Sequence, residues 1–352
     1  MKGKLWDKYP QKDKKFVQWA LSDDKVARET REELSRKDVK VPTFLVGAST
    51  CGLASGAQEV LDALYRREAE SRARVDIQAV GCLGYCQEEP MIEIHLPGQA
   101  SVVYGRITPK EAEKIFDSCT TNERHIPELA LFRFDGEVKD VDIPHISEDP
   151  FFSRQKRIVL KRCGRFNPLD LSTAIALGDY RGLHRVLTSM TGDEVVDEVL
   201  LSGLKGRGGG GFSTGMKWKF ARKAKGDQKY CVMNADEGDP GAFMDRSVLE
   251  SDPHEAIEGM VIAGYTIGAS IGYIYCRAEY PLAIKRLKEA MADCREVGIL
   301  GDNILGTDFS FDLRIKMGAG AFVCGEETAL LASIEGKRGM PKPPPPHPPH
   351  AR

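Results

Sequence analysis

No apolar stretch in this 352-residue chain reaches the ~18 residues a bilayer-spanning helix needs, so direct membrane insertion is not expected. An excess of either charge is missing too. Fifty Lys and Arg against 52 Asp and Glu leave a formal charge of −2, which gives no footprint for nucleic acid or an anionic membrane surface. The opening MKGKLWDKYPQKDKK has no signal-peptide apolar core. The nine cysteines, an odd number without a secretion signal, suit a reducing compartment, and the expected location is cytoplasmic. There is no internal repeat, and the length suits two or three domains.

What is present begins with GLKGRGGGGFSTGMKW at 203–218, where six residues between Gly203 and Gly211 are glycines. Glycine admits a ligand where any Cβ would collide and tolerates positive φ. Successive N–H groups in such a loop form an anion nest, strengthened when a helix follows. Residues 216–225 read as that helix, with Lys217 near its first turn. A flexible linker would be Ser- and Gly-rich without interleaved Phe, Lys and Trp. Gly206, Arg207, Gly208, Gly209, Gly210 and Gly211 satisfy G-x-G-x-x-G, but that fingerprint requires a preceding strand. Residues 192–204 have helical spacing instead, so the loop is not an ordinary Rossmann first turn.

A predicted strand at 229–233 runs into NADEGDPGAFMDR at 234–246, which places Asn234, Asp236, Glu237 and Asp239 at a strand end, where α/β proteins present side chains to ligand. Carboxylates beside a phosphate nest repel it, so they are expected to accept from ring N–H, amine or ribose hydroxyl groups. A third cluster, at 318–341, holds Gly325, Glu326 and Glu327 between an apolar run and a helical one. The two glutamates alone suit a helix N-terminus as well as a ligand. Three such clusters in order favour the ligand.

From about 167 to 340 the chain resembles the 51 kDa (F-type) NADH-binding flavoprotein subunit of respiratory complex I. The beta subunits of NAD-linked iron-only hydrogenases and formate dehydrogenases belong to the same family. The resemblance implies a Rossmann-like α/β FMN/NADH-binding domain, hydride transfer from NADH to FMN, and electron exit through iron–sulfur centres. Carried over by position, Gly206, Gly208, Lys217, Asn234, Asp236, Glu237, Gly325 and Glu326 would contact FMN. Phe212, Phe220 and Glu327 would contact NAD(H), and Lys217 lies near both. Arg207, Gly209 and Gly211 belong to the same cofactor loop, and Glu237 is the candidate catalytic residue, tuning the flavin. Asp239 stands where complex I members carry Glu, and Phe322 where they carry Tyr. Both choices resemble the soluble hydrogenase branch.

Residues 39–119 alternate strand and helix signals: strands at 41–46 and 75–80, a helix at 57–68, a hairpin at 91–95 and 101–106, and a closing helix at 109–118. Cys51, Cys82 and Cys86 fall on loops of that frame, which in a reducing compartment points to metal or redox chemistry. The arrangement resembles the thioredoxin-like [2Fe–2S] ferredoxin domain of the complex I E-type subunit, whose pattern is C-x4-C then C-x3-C. Cys82 and Cys86 fit the second half. In the first half either Gly56 or Val46 occupies the missing position, and a [2Fe–2S] centre ordinarily takes four ligands. Ser49, Thr50, a distant cysteine or an exogenous group are the open completions. A thioredoxin-like docking domain without a cluster is the alternative.

The remaining segments are a charged amino-terminal stretch at 1–38, expected as a solvated helix or partner-binding arm over 16–36, and a proline-broken connector at 120–166. Cys163, Cys231, Cys276, Cys294 and Cys324 are expected as packing residues. The tail at 341–352, PKPPPPHPPHAR, departs from the family, with His347 where an NADH-contacting aromatic is expected. The family's [4Fe–4S] site is absent, and a truncated or frameshifted product is the expected explanation. Expected partners are an E-type ferredoxin subunit and a large iron–sulfur or hydrogenase subunit. The competing function is a truncated, non-catalytic partner-binding chain without functional flavin.

Overall fold

The computed structural model describes residues 15–35, 39–208 and 210–343. Gly209, the first 14 residues and the tail with His347 lie outside the described residues. The architecture is mixed α/β, built on two sheets.

The first sheet contains β1 (Thr43–Gly47), β2 (Asp76–Val80), β3 (Ile92–His95), β4 (Val102–Tyr104) and β5 (Ala130–Arg133), in the order β2-β1-β3-β4-β5. β1 runs parallel to β2 and antiparallel to β3, while β3, β4 and β5 form an antiparallel meander. Every residue of β1 is buried, as expected of a short apolar run covered on both faces. Helices Ala57–Ser71 and Pro109–Thr121 cover one face, with Phe44 stacked on Phe116 at 5.4 Å among Val60, Leu64 and Ile115. The second helix starts where a Thr108–Glu111 capping box satisfies its first free N–H groups. Leu83, Met91, Val103, Phe132 and Phe152 fill the other face. β5 and Phe152 lie in the stretch expected to be only a connector. Its prolines bound the strand rather than break it: Pro127 opens the preceding turn, and the Pro144 carbonyl accepts from Arg133 N–H on the exposed edge.

The second sheet is wholly parallel: β6 (Tyr230–Ala235), β7 (Ile271–Arg277) and β8 (Asp312–Gly318). Parallel neighbours require crossovers, and helices Met244–Ser251, Pro253–Ile267 and Pro281–Glu296 supply them. The described part of the amino-terminal charged stretch is two helices rather than one, with a solvated charged face and a buried apolar one. It forms Phe16–Leu21 and Lys25–Leu34, restarted by the Asp24 cap, and Phe16, Val17 and Ala20 enter the core of the second sheet. FVQWAL is an apolar patch inside a charged surround, and burying it outweighs the surround. Among the described residues no helix is long and apolar enough to cross a membrane.

The two cores meet at a polar seam. The Glu250 carboxylate, 1% exposed, accepts from Thr50 N–H at 2.9 Å and from its hydroxyl at 2.5 Å. Arg286, buried, donates to the carbonyls of Ala48 (2.7 Å) and Glu250, and Cys82 N–H donates to Ser251 Oγ at 3.0 Å. Removing the shared acceptor strands the two part-buried Thr50 donors, so Glu250→Ala is expected to cost about 1–3 kcal/mol in urea unfolding. Glu29→Ala, at an exposed i,i+4 pair, is expected to stay within about 0.5 kcal/mol. Equal effects would mean that the seam adds nothing.

Candidate functional site

The glycine loop is pinched shut at its base. Gly206 N–H donates to the Phe212 carbonyl at 2.9 Å, and Thr214 N–H to the Leu204 carbonyl at 3.0 Å. The Gly206 amide is therefore committed inside the loop rather than offered to an anion. Beyond the pinch, Arg207, Gly208, Gly210, Gly211 and Phe212 are exposed. The helix expected at 216–225 spans Thr214–Lys223 and is capped by Ser213, whose hydroxyl accepts from Met216 N–H at 3.3 Å. Lys217 thus lies in its first turn, close to the positive end of the helix dipole. Phe220 is exposed one turn further on.

The acidic turn and the Gly-Glu-Glu turn are in contact. Asn234, at the end of β6, donates from Nδ2 to the Gly325 carbonyl at 2.9 Å. A Cβ built on Gly238 would lie 2.8 Å from Phe322 Cδ2, so a glycine is what admits that ring. Lys217 Nζ lies 3.5 Å from Glu327 Oε2, which brings the helix after the glycine loop to the same place. Both partners are largely exposed, so their pairing contributes at most about 1 kcal/mol and leaves them free to serve a ligand. Asp236 is the buried member. Among the described residues its Oδ2 has no hydrogen-bond partner, burial pushes its carboxyl upward, and Arg277 opposes that shift. A buried oxygen without a donor fits a polar ligand group such as a ring N–H or a hydroxyl.

Two candidate residues are engaged elsewhere. Glu326 caps helix Glu327–Ile334: its Oε2 accepts from Thr328 N–H (3.0 Å) and Ala329 N–H (2.9 Å). The helix-terminus reading is therefore correct for Glu326, whereas Glu327 faces Lys217. Glu237 accepts from Asp245 N–H (3.0 Å), Arg246 N–H (3.2 Å) and the Tyr280 hydroxyl (3.1 Å). Its carboxylate secures the start of helix Met244–Ser251. Asp239 is exposed in the turn between them.

The three cysteines gather at the seam. Cys82 and Cys86 Sγ lie 3.9 Å apart, and Gly84 N–H donates to Cys82 Sγ at 3.1 Å. Cys51 neighbours Cys86 and receives Arg246 Nη2 at 3.4 Å. Burial pushes Cys51 up to about 11. Cys86 falls to about 6 through Cys82, Cys51 and Arg246. The Gly84 amide on Cys82 and the Arg246 guanidinium on Cys51 are donors that suit thiolate ligation. Among the described residues, however, no three Cys, His, Asp or Glu side chains already converge as around a single metal ion. Neither expected gap position supplies a fourth ligand. Val46 is sealed in the apolar core, and Gly56 has no side chain. The other five cysteines expected to serve packing are buried, as is Cys119.

Sequence reading missed Arg246, Arg277 and Tyr280, which connect the acidic turn to its surroundings. Arg246 lay in a motif already singled out, but its contact with Cys51 crosses 195 residues and leaves no local signal.

Residues 199–351 match the Nuo51 FMN-binding domain family. Over 195 residues the chain is 60% identical to the NADP-reducing hydrogenase subunit HndC of Solidesulfovibrio fructosivorans, covering 55% of this chain and 39% of that protein. Over 178 residues it is 53% identical to an F-type NADH-quinone oxidoreductase subunit of Rhizobium meliloti (strain 1021), covering 51% and 42%. A solved NAD+-reducing [NiFe]-hydrogenase in the H2-reduced state aligns with 92% of this chain and 51% of its own, at 24% identity and a TM-score of 0.44. The chain spans about two fifths of the length of those two curated relatives.

Proposed function

We propose that this chain is an NADH-oxidising FMN flavoprotein subunit that delivers electrons to iron–sulfur partners, as in NADH:quinone oxidoreductases or NAD-linked hydrogenases. One observation carries the reading: in a segment matching an FMN-binding family, the acidic turn touches the Gly-Glu-Glu turn through Asn234 and Gly325, and Lys217, just after the glycine loop, reaches Glu327 of that same turn. Bound FMN supplies a hydride acceptor that releases electrons singly, and the protein supplies binding and orientation. Lys217, Arg207 and the loop amides beyond the Gly206 pinch balance phosphate charge. Asp236 accepts a ring N–H or hydroxyl, and Asn234 with Gly325 sets the spacing of the two turns. Phe212, Phe220 and Phe322 offer faces for stacking the dinucleotide, with Glu327 beside them. Glu237 shapes the acidic turn through its helix anchor and so places the groups that tune the flavin.

In this reading residues 39–119 are a thioredoxin-like ferredoxin domain with a [2Fe–2S] centre on Cys51, Cys82 and Cys86, and 167–340 are the Rossmann-like flavin module. The parallel β1–β2 pair beside an antiparallel hairpin, with two helices on one face, supports the first assignment. Partners are an E-type ferredoxin subunit and a large iron–sulfur or hydrogenase subunit, in keeping with relatives named as subunits.

The test is anaerobic reconstitution with FMN, gel filtration and NADH addition. The chain is expected to retain flavin absorbance and to bleach with NADH. Asp236→Ala is expected to weaken FMN retention about tenfold, the value of a hydrogen bond worth ~1.4 kcal/mol. A chain that emerges colourless after reconstitution sinks the proposal and favours a non-catalytic partner-binding role.

A further inference from the structure

Glu89 lies within the cysteine cluster without having been counted in it. It is only 6% exposed, and its two oxygens have different surroundings. Oε2 accepts from Met91 N–H at 2.9 Å, which fixes the plane of the carboxyl. Oε1 is buried and has no hydrogen-bond partner among the described residues. The group reaches between two glycines: a Cβ on Gly47 would lie 3.0 Å from Oε2, and one on Gly52, the residue after Cys51, would lie 3.1 Å from it. Cys51, Cys82 and Cys86 each have this carboxyl as an electrostatic neighbour.

We propose that Glu89 is the fourth protein donor, through Oε1, of the iron–sulfur group held by Cys51, Cys82 and Cys86. The inference rests on the cluster reading above and replaces the missing cysteine of the first pair with an oxygen. A carboxylate has the same charge as a thiolate, so the ligand set keeps its total charge and exchanges a soft donor for a hard one. Arg246, 3.4 Å from Cys51 Sγ, and the Gly84 amide on Cys82 are the outer partners that such a set needs. The donors come from the segments around Cys51, around Cys82 and Cys86, and just before β3, which suits a binuclear group better than one ion. Of the side chains left open by the sequence, Thr50 is excluded because its hydroxyl is committed to Glu250. Ser49 Oγ is buried and unpartnered and is the competing donor.

The experiment reconstitutes the full chain anaerobically with ferrous iron and sulfide. Acid-labile sulfide, the EPR spectrum after dithionite reduction and FMN retention are measured on the same preparations. The unsubstituted chain and Ser49→Ala are expected to hold the same cluster. Glu89→Gln, which keeps shape and the Met91 contact, is expected to lose it to chelator at least about tenfold faster. Glu89→Cys is expected to hold a cluster with a shifted EPR spectrum, which also shows that position 89 tolerates substitution. The proposal is overturned if Glu89→Gln keeps an unchanged spectrum, if Ser49→Ala loses the cluster, or if the unsubstituted chain assembles none. Loss of FMN with an intact cluster would count against the flavin reading and leave this one standing.

Discussion

Arg162→Ala is expected to lose about 3–5 kcal/mol of folding stability, the cost of breaking a buried ion pair by removing one partner. Arg162 is 14% exposed and bridges two deeper carboxylates, Asp179 at 3% and Asp252 at 0%. Its Nη2 lies 2.7 Å from Asp252 Oδ2, its Nε donates to the same oxygen at 2.9 Å, and Nη2 also donates to Asp179 Oδ1. Asp252 is not a spare acid either, because its Oδ1 caps helix Pro253–Ile267 through Glu255 N–H. Without the guanidinium, two buried acids remain facing each other, with Glu255 and Glu258 adding further negative charge. Burial, then the Asp252 charge, already pushes the Asp179 carboxyl upward, and Arg162 is what opposes it. A carboxyl raised in the folded state contributes stability at low pH and loses it as pH rises through the folded value. The deficit of Arg162→Ala is therefore expected to be largest at neutral pH and to shrink toward pH ~5 in urea unfolding. Arg162→Lys is expected to recover only part, since one ammonium cannot fork across both acids. A loss below ~1 kcal/mol, the range of a solvated pair, or a deficit that grows on acidification would sink this account.

Much of the fold was legible in local pattern. The helix expected at 57–68 is Ala57–Ser71, and the strand expected at 229–233 is Tyr230–Ala235. Periodicity reports which face of an element is apolar, and for these elements that is enough. It fails where the partner decides. Phe16, Val17 and Ala20 looked like a solvated arm because the core they enter is built mostly from Leu171 onward. β5 was hidden by flanking prolines that in fact bound it. At the candidate site, the sequence located the three motifs but not how their side chains divide the labour. Glu326 and Glu327 are adjacent in sequence, yet one caps a helix and the other meets Lys217. Arg246 sat inside a quoted motif, and only packing of the first sheet against the second brings it to Cys51, whereas Glu89, three residues after Cys86, reaches Gly52 beside Cys51 through the turn before β3.

Gly208→Val is expected to abolish FMN retention while leaving the fold untouched, a pairing of outcomes that few substitutions offer. A Cβ at Gly208 meets nothing within 4 Å among the described residues, which therefore give no reason to object to a side chain there. The loop around it is exposed and closed by its own base pinch, and Val adds no contact that the folded chain must rearrange. Folding stability is therefore expected to change by no more than about 0.5 kcal/mol. With a phosphate seated on the loop the same position becomes a close backbone approach, where a branched side chain displaces the ligand. Overpacking of about 1–3 kcal/mol together with lost amide contacts predicts at least ~100-fold weaker FMN binding by fluorescence titration. Gly203→Ala is the companion: Gly203 has φ of 67°, so the added Cβ strains the backbone before any ligand arrives and is expected to cost stability first. If Gly208→Val binds FMN as the unsubstituted chain does, the glycine tract is not a phosphate cradle. The flavin, if bound, would then have to rest on the acidic turn alone.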